Sequence, residues 1–324
     1  MTQGAVWVTG ADGFVGRRVL ARLAARGQPA AALVMDPAAA QLGVPCGRLQ
    51  LAELALADPG TARLGLDELP EPAALLHLAA MAFPPDCEAH PDAAFAVNAV
   101  GPARLYEALF ARWPRLRVLH VSTGQVYRPA AVPIDETAPA VPVNVYGASK
   151  LQGEAVALGW FDRGAAVSVA RPFNHSGPGQ AAAFALPSFA LRLAALEMAG
   201  GGALEVGNLD GVRDFLHVDT VADVYLDLLD SAGKEPLLNV CSGTGRRMSE
   251  LLDGLLARTH AGVELRTRAE RLRGAGDADH LVGDPTRLAS VLGRRPQLDA
   301  GALLDELMTD ARIRVAAGED VTRA

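Results

Sequence analysis

Ala5-Val-Trp-Val-Thr9-Gly10-Ala-Asp-Gly13-Phe-Val-Gly16 opens the chain with an apolar, strand-forming run followed at once by three glycines spaced three apart. Such a run is read as a strand, the glycines as a turn, and the amphipathic stretch Phe14–Arg26 as a helix. Gly10 permits a tight turn and Gly13 lets backbone amides approach a pyrophosphate. Gly16 lets the helix pack close to the strand. The helix N-terminus brings partial positive charge to where phosphates would lie. Glycine serves many tight turns, so the triplet alone is weak evidence. Its place between a strand and a helix at the head of an alternating chain points to a dinucleotide-binding turn.

Working outward, short apolar runs at Ala30–Met35, Ala74–Leu78, Arg117–Ser122 and Ala166–Ala170 alternate with helical patterns at Pro91–Arg112 and Tyr146–Phe161. This alternation predicts right-handed βαβ units and an α/β fold, a doubly wound parallel sheet of Rossmann type with helices on both faces. After Arg171 the texture changes to shorter elements between Gly- and Pro-rich loops, while Leu237–Val240 reads as one more strand of the main sheet. The expected organisation is a nucleotide-binding domain over residues 1–171 and a smaller, interleaved substrate-binding lobe over residues 172–324.

The 324 residues are 50% apolar and 5% aromatic, enough for a conventional core built mainly of Ala, Val and Leu. No apolar run reaches the roughly 20 residues that a bilayer requires, so no membrane partner is expected. A net charge of −7 argues against a nucleic-acid surface. Cys46, Cys87 and Cys241 are far apart and lack metal-ligand spacing. They read as buried free thiols, with no metal site. With no basic stretch before an apolar segment at the N-terminus, a cytoplasmic location is expected.

Asp36 ends the second strand run, where a carboxylate can accept from adenosine ribose hydroxyls, and no Lys or Arg follows closely to neutralise a 2′-phosphate. This favours NAD(H), with NADP(H) as the alternative; a solvated loop aspartate before Pro37 is the plainer reading. Tyr146-Gly-Ala-Ser-Lys150 places a phenol and an ammonium four apart at a helix start, on one face. A lysine charge beside a tyrosine, helped by a cationic nicotinamide, stabilises phenolate and is expected to draw its pKa towards working pH. Ser122-Thr123 follows a strand at the carboxyl edge where open parallel sheets bind ligands, and Thr123 can hydrogen-bond a substrate oxygen beside Tyr146. A Tyr-x-x-x-Lys pair alone is a common accident of helices. Downstream of the glycine turn and Ser122-Thr123, it reads as catalytic.

Thr9–Gly16, His77-Leu-Ala-Ala80, Ser122-Thr123, Tyr146 with Lys150, and Arg171-Pro-Phe-Asn174 occur together and in order. In this the chain resembles the extended short-chain dehydrogenase/reductases, the NAD-dependent epimerase/dehydratase family of nucleotide-sugar enzymes, from the first strand to beyond residue 290. The resemblance implies NAD(P) bound near Gly10, Gly13, Phe14, Val15, Gly16, Ala79, Ala80, Lys150 and Phe173. It also implies Tyr146 as acid/base with Thr123 as its helper, and Asn174 near the sugar or its phosphates. The helices 91–112 and 146–161 resemble those of a four-helix homodimer interface.

Arg171–Gln180, Val206-Gly-Asn-Leu209, Val212-Arg-Asp-Phe215 and Asn239–Gly243 are similar to the members that reduce GDP-4-keto-6-deoxy-D-mannose. The dehydratase members need an acid–base carboxylate pair directly after the active-site Thr, where this chain has Gly124-Gln125. The implied reaction is delivery of hydride to the C4 ketone of a nucleotide-activated 4-keto-6-deoxyhexose, with Tyr146 as proton donor and Gln125, Gln180, Asn208, Arg213 and Arg273 as substrate contacts. Arg213 is the candidate for the diphosphate, against an ion pair with Asp214 or Asp219. His77 and His217 read as structural, and His175 as support for cofactor or substrate. Three departures stand out. Arg273-Gly-Ala-Gly-Asp277 carries an apparent insertion at the base-binding end. The acidic residue after the third strand is either Glu53 or replaced by Ala55. Phe83-Pro84-Pro85 makes the sugar pocket more apolar. The alternatives are a nucleotide-sugar 4-epimerase using the same Tyr and Lys, and a non-catalytic NAD(P)-sensing protein.

Overall fold

Every residue of the first strand, β1 (Ala5–Thr9), is buried, as is every residue of β2 (Ala30–Val34). Strands buried on both faces need helices on both sides, and this is the arrangement found. The computed structural model describes residues 4–43, 49–54, 56–57, 69–267 and 280–321. With β3 (Leu49–Glu53), β4 (Pro72–His77), β5 (Arg117–Val121), β6 (Val167–Pro172) and β10 (Leu237–Val240), β1 and β2 form one sheet of seven strands in the order β10-β6-β5-β4-β1-β2-β3. All six pairings are parallel. The strand order reverses between β1 and β4, and the carboxyl ends there form the crevice in which such sheets bind ligands.

Alternation along β1 divides the core. Val6 and Val8 pack with Val19, Leu20 and Leu23 of α1 (Phe14–Ala25) and with Val221, Val224 and Leu228 of α7 (Val218–Asp230). Trp7 faces the other side, with Leu105, Tyr106 and Leu109 of α4 (Gly101–Arg112) and Ala157 of α5 (Val145–Phe161). A third apolar cluster lies after residue 185. It joins α6 (Ala185–Ala199), α8 (Met248–Leu256) and α10 (Ala300–Ala316) to β8 (Gly202–Val206) and Phe215 of β9 (Val212–His217). Beside it, β9 pairs with the short strands β7 (Asn174–Ser176), β11 (Gly245–Arg247) and β13 (His280–Leu281).

The expected elements form, with small shifts at their ends. The second strand stops at Val34 and leaves Met35 76% exposed, which matters for the rim of the site. β3 was missing from the strand reading; a five-residue run with two polar positions is too short for its periodicity to stand out. The stretch read as one helix over Pro91–Arg112 is three pieces, α3 (Pro91–Phe95), a π-helical turn (Ala96–Val100) and α4. Cys87 and Cys241 are buried free thiols as expected, and Cys46 lies outside the described residues.

The π turn has a visible cause. Its Asn98 is buried, and its side chain accepts from Met81 N at 2.8 Å and donates to Met81 O at 3.0 Å and to Ser149 Oγ at 2.9 Å. Its carbonyl is turned onto α5, where a Cβ at Gly153 would stand 2.1 Å from Asn98 O. Helix α5 thus lies closer to the π turn than any side-chain-bearing residue allows. At the next residue, Glu154 forms a buried ion pair with Arg171 of β6, whose guanidinium sits 4.6 Å from the centroid of the Tyr127 ring.

Gly153→Ala is therefore predicted to lower stability by about 1–3 kcal/mol, the usual range for overpacking. Chemical denaturation checks this, and an unchanged midpoint contradicts the close approach of α5 to Asn98.

Candidate active site

A cavity of about 650 Å³ opens at the carboxyl ends of the sheet strands, lined by the glycine turn on one side and the start of α5 on the other. Gly10 has φ +62°, and a Cβ there would meet Ala79 N and Cα at 2.9 Å. A Cβ on Gly16 would lie 2.4 Å from Gly10 O, and one on Gly13 3.0 Å from the same atom. The turn is folded tightly enough that side chains would fill it. Gly13 is also the N-cap of α1 and supplies no side-chain acceptor, so the first amides of that twelve-residue helix are left for a ligand. A cradle of backbone amides at a helix N-terminus, closed to side chains, fits the pyrophosphate of a dinucleotide. Phe14, Val15, Ala79, Ala80 and Phe173 line the same cavity.

Thr9 explains how Ala79 and Ala80 come to be there. Its Oγ1 accepts from Leu78 N and Ala79 N, both at 3.1 Å, which leaves the hydroxyl proton for His77 Nδ1 at 3.0 Å. His77 is a buried strand residue stacked on His120 with ring centroids 5.4 Å apart, and burial holds its pKa down at about 3. It is neutral and structural, in line with its reading from the sequence.

At the opposite wall, α5 begins with Asn144 as its cap, accepting from Gly147 N at 2.7 Å and donating to Gln125 Oε1 at 3.1 Å. A Cβ at Gly147 would stand 2.4 Å from Gln125 O, so a glycine is required for the helix to seat against the loop after β5. That contact puts Tyr146 beside Thr123, with which its phenol is hydrogen-bonded. Lys150, one turn on, donates from Nζ to Val121 O at 2.6 Å. Tyr146, Lys150, Thr123, Gln125, Asn174 and Gln180 all line the cavity.

This geometry has known counterparts. Residues 6–241 match the NAD dependent epimerase/dehydratase family. The chain belongs to that family. It is 34% identical to the GDP-6-deoxy-D-mannose reductase of Pseudomonas aeruginosa over 320 residues, 97% of this chain and 99% of that protein. A solved structure described as RMD from Pseudomonas aeruginosa complexed with NADPH superposes with a TM-score of 0.81 at 32% identity, covering 96% of this chain and 98% of that one. Thermus thermophilus UDP-glucose 4-epimerase in complex with NAD gives a TM-score of 0.81 at 26% identity, over 95% and 99% of the two chains.

Against this family background the remaining candidates divide. Asp36 is exposed outside the cavity, and its Oδ1 caps the next turn by accepting from Ala38 N at 2.9 Å and Ala39 N at 3.3 Å. The rim position is held by Met35 instead. Asn208 is exposed and accepts from Asp210 N at 2.8 Å in an Asx turn, away from the cavity. Arg213 lies on β9, outside the cavity lining, donating to Val212 O at 3.1 Å. The carboxylates weighed as its partners are engaged elsewhere: Asp214 accepts from Ser242 and Gly243, and Asp219 pairs with Arg18 and Arg22. Arg273 and Ala55 lie outside the described residues, and Glu53 is the last residue of β3. His175 lines the cavity with its ring stacked on Phe14, centroids 6.0 Å apart, while His217 caps α7 and pairs with Glu306.

One expectation is corrected. Lys150 does not draw the phenol's pKa down; burial raises Tyr146 to about 12, with only the hydrogen bond to Thr123 opposing it. Desolvation of a phenolate in this wall outweighs the ammonium, whose Nζ is held on the Val121 carbonyl. Burial likewise lowers Lys150, to about 8, against the charge of Glu154. At neutral pH the pair is a protonated phenol beside a charged lysine.

Turnover that uses this pair is predicted to be flat with pH below about 8 and to fall as pH rises through about 8, because Lys150 loses its proton there while Tyr146 keeps its own. A pH profile of kcat/KM checks the sign. A profile level to pH 10 contradicts the assignment of Lys150 as the group that must stay charged.

Proposed function

We propose that this chain reduces the C4 ketone of a nucleotide-activated 4-keto-6-deoxyhexose, GDP-4-keto-6-deoxy-D-mannose above all, with Tyr146 as proton donor. The observation that carries the reaction type is the scarcity of carboxylates. Among the described residues lining the cavity, the only Asp or Glu is Asp12, in the glycine turn. Beside Thr123 stand Gly124 and Gln125, and a Cβ at Gly124 would meet the Phe173 ring at 3.1 Å. A carboxylate pair for removing water has neither the residues nor the room. What remains is a phenol, an ammonium and a hydroxyl, a set suited to protonating an alkoxide.

A dinucleotide with its pyrophosphate held by the turn of Gly10, Gly13 and Gly16 would supply the hydride. Thr123 and Tyr146 hold the ketone oxygen, and the Tyr146 phenol transfers its proton as negative charge develops there. The phenolate left behind is a stronger base than Lys150, with pKa values of about 12 and about 8, so the proton is replaced from the lysine. Lys150, seated on Val121 O one turn along the helix, is the group that recharges it.

The second reading is a 4-epimerase, which would use the same Tyr and Lys with retained NAD and consume no added NADH. The substrate class follows the relative with which the chain aligns over 97% of its length, a GDP-6-deoxy-D-mannose reductase. For the cofactor, no Lys or Arg follows β2 closely in the sequence to neutralise a 2′-phosphate, which supports NADH. The helices of residues 91–112 and 146–161 are proposed as the face of a homodimer, which analytical ultracentrifugation tests.

With freshly prepared GDP-4-keto-6-deoxy-D-mannose, NADH is expected to be consumed one for one with sugar and favoured over NADPH by about tenfold or more in kcat/KM. Tyr146→Phe is expected to lower kcat by about 100-fold or more, the usual worth of a general acid. Absence of reduction with both cofactors overturns the function, and a Tyr146→Phe enzyme of near wild-type rate overturns the assignment of Tyr146.

A further inference from the structure

The loop between β4 and α2 (Pro84–Ala89) lies beside Tyr146 and presents apolar side chains to the site. Tyr146 packs there with Cys87, Ala94, Met81 and Val145. Ala82 and Pro84 line the cavity on this side, and so does Phe184, the N-cap of α6. Phe184 is held in place by Phe83, the N-cap of α2, in an edge-to-face pair with centroids 5.8 Å apart and planes at 72°. The Met81 amide and carbonyl and the Phe83 carbonyl are already engaged. Met81 N donates to Asn98 Oδ1, and Met81 O accepts from Asn98 Nδ2 and from Cys87 Sγ. Phe83 O accepts from Asp86 N and Cys87 N at the start of α2. Thr123, beside Tyr146, and Gln125 of the loop after β5 supply the polar side of the lining.

A hexose held with its C4 oxygen at Tyr146 has unlike neighbours on the two sides of C4. C3 carries a hydroxyl, and C5 carries C6. The cavity has the same asymmetry, and matching the two directs the C3 side to the polar flank and C6 to the apolar one. A C6 hydroxyl placed against Ala82, Pro84 and Phe184 would lose its water and find neither Met81 nor Phe83 carbonyl available, at the cost of an unmade hydrogen bond. A methyl loses nothing there and gains the contact of the Phe184 ring.

Building on the function proposed above, we infer that Ala82, Pro84 and Phe184, braced by Phe83 and by the Asn98 clamp on Met81, form a C6-methyl subsite by which this enzyme selects 6-deoxyhexoses over their 6-hydroxy counterparts. Phe184 is the specificity-determining side chain and Asn98 a positioning residue.

The matched pair GDP-D-rhamnose and GDP-D-mannose differs only by the C6 hydroxyl, and neither has a ketone to reduce. Calorimetric titration of both into the NADH-loaded protein is expected to show GDP-D-rhamnose bound tighter by about tenfold or more, the scale of discrimination by an apolar pocket. Phe184→Ala is expected to shrink that ratio to about threefold or less by weakening GDP-D-rhamnose. Ala82→Ser, which adds a hydrogen-bonding oxygen to the wall without removing any of it, shrinks the ratio by strengthening GDP-D-mannose. Equal binding of the two sugars by the unaltered protein, or a ratio that neither substitution moves, overturns the subsite and leaves the reductase standing. Binding of neither sugar overturns both.

Discussion

A buried ammonium on a strand-end carbonyl, Lys150 Nζ to Val121 O at 2.6 Å, ties the chemistry of this protein to its sheet. It forms only because α5 approaches the carboxyl edge more closely than side chains allow. Gly147 admits the carbonyl of Gln125 and Gly153 admits that of Asn98. Once the helix is seated, Tyr146 is carried to Thr123 and both ionisable groups lose their water. Their pKa values then move apart, the phenol up and the ammonium down, because burial disfavours the charged form of an acid and of a base alike. The result is a proton donor loaded at neutral pH, with a group beside it able to reload it.

The cavity's remaining properties follow from what is packed around that helix. On the side of α1 the glycine turn leaves space and unsatisfied amides, and on the side of β7 and α6 come Asn174, Gln180 and Phe184. Two separate cores meet here, one under the sheet helices and one among α6, α8 and α10, and the site lies between the loops that leave them. The lining is mostly apolar, and among the described residues Asp12 is its one carboxylate.

Much of this was legible along the chain because it is local. The glycine spacing, the strand before it and the four-residue separation of Tyr146 and Lys150 are properties of single elements, and the elements formed where periodicity placed them. What escaped the sequence is long-range. Asn98 joins Met81 and Ser149, Thr9 holds Leu78 and Ala79, and Glu154 neutralises Arg171; none of these partners has a spacing that periodicity can report. The Asn98 clamp also explains why a stretch that reads as one uniform helix is interrupted by a π turn. The direction of the Tyr146 shift is illegible for a related reason: charge is visible in a sequence, whereas depth of burial is not. Asp36 and Asn208 were placed by position alone, and both spend a side-chain oxygen on a local turn.

The central claim is that a proton held by Tyr146 and a hydride from the cofactor meet at C4 of a ketone, and isotopic transfer tests it most directly. With NADH carrying deuterium on both C4 positions and the 4-keto sugar in ordinary water, the account predicts one deuterium at C4 of the sugar product by NMR, with oxidised cofactor released in equal amount. A product free of deuterium, or an interconversion of C4 alcohols with no oxidised cofactor released, contradicts it.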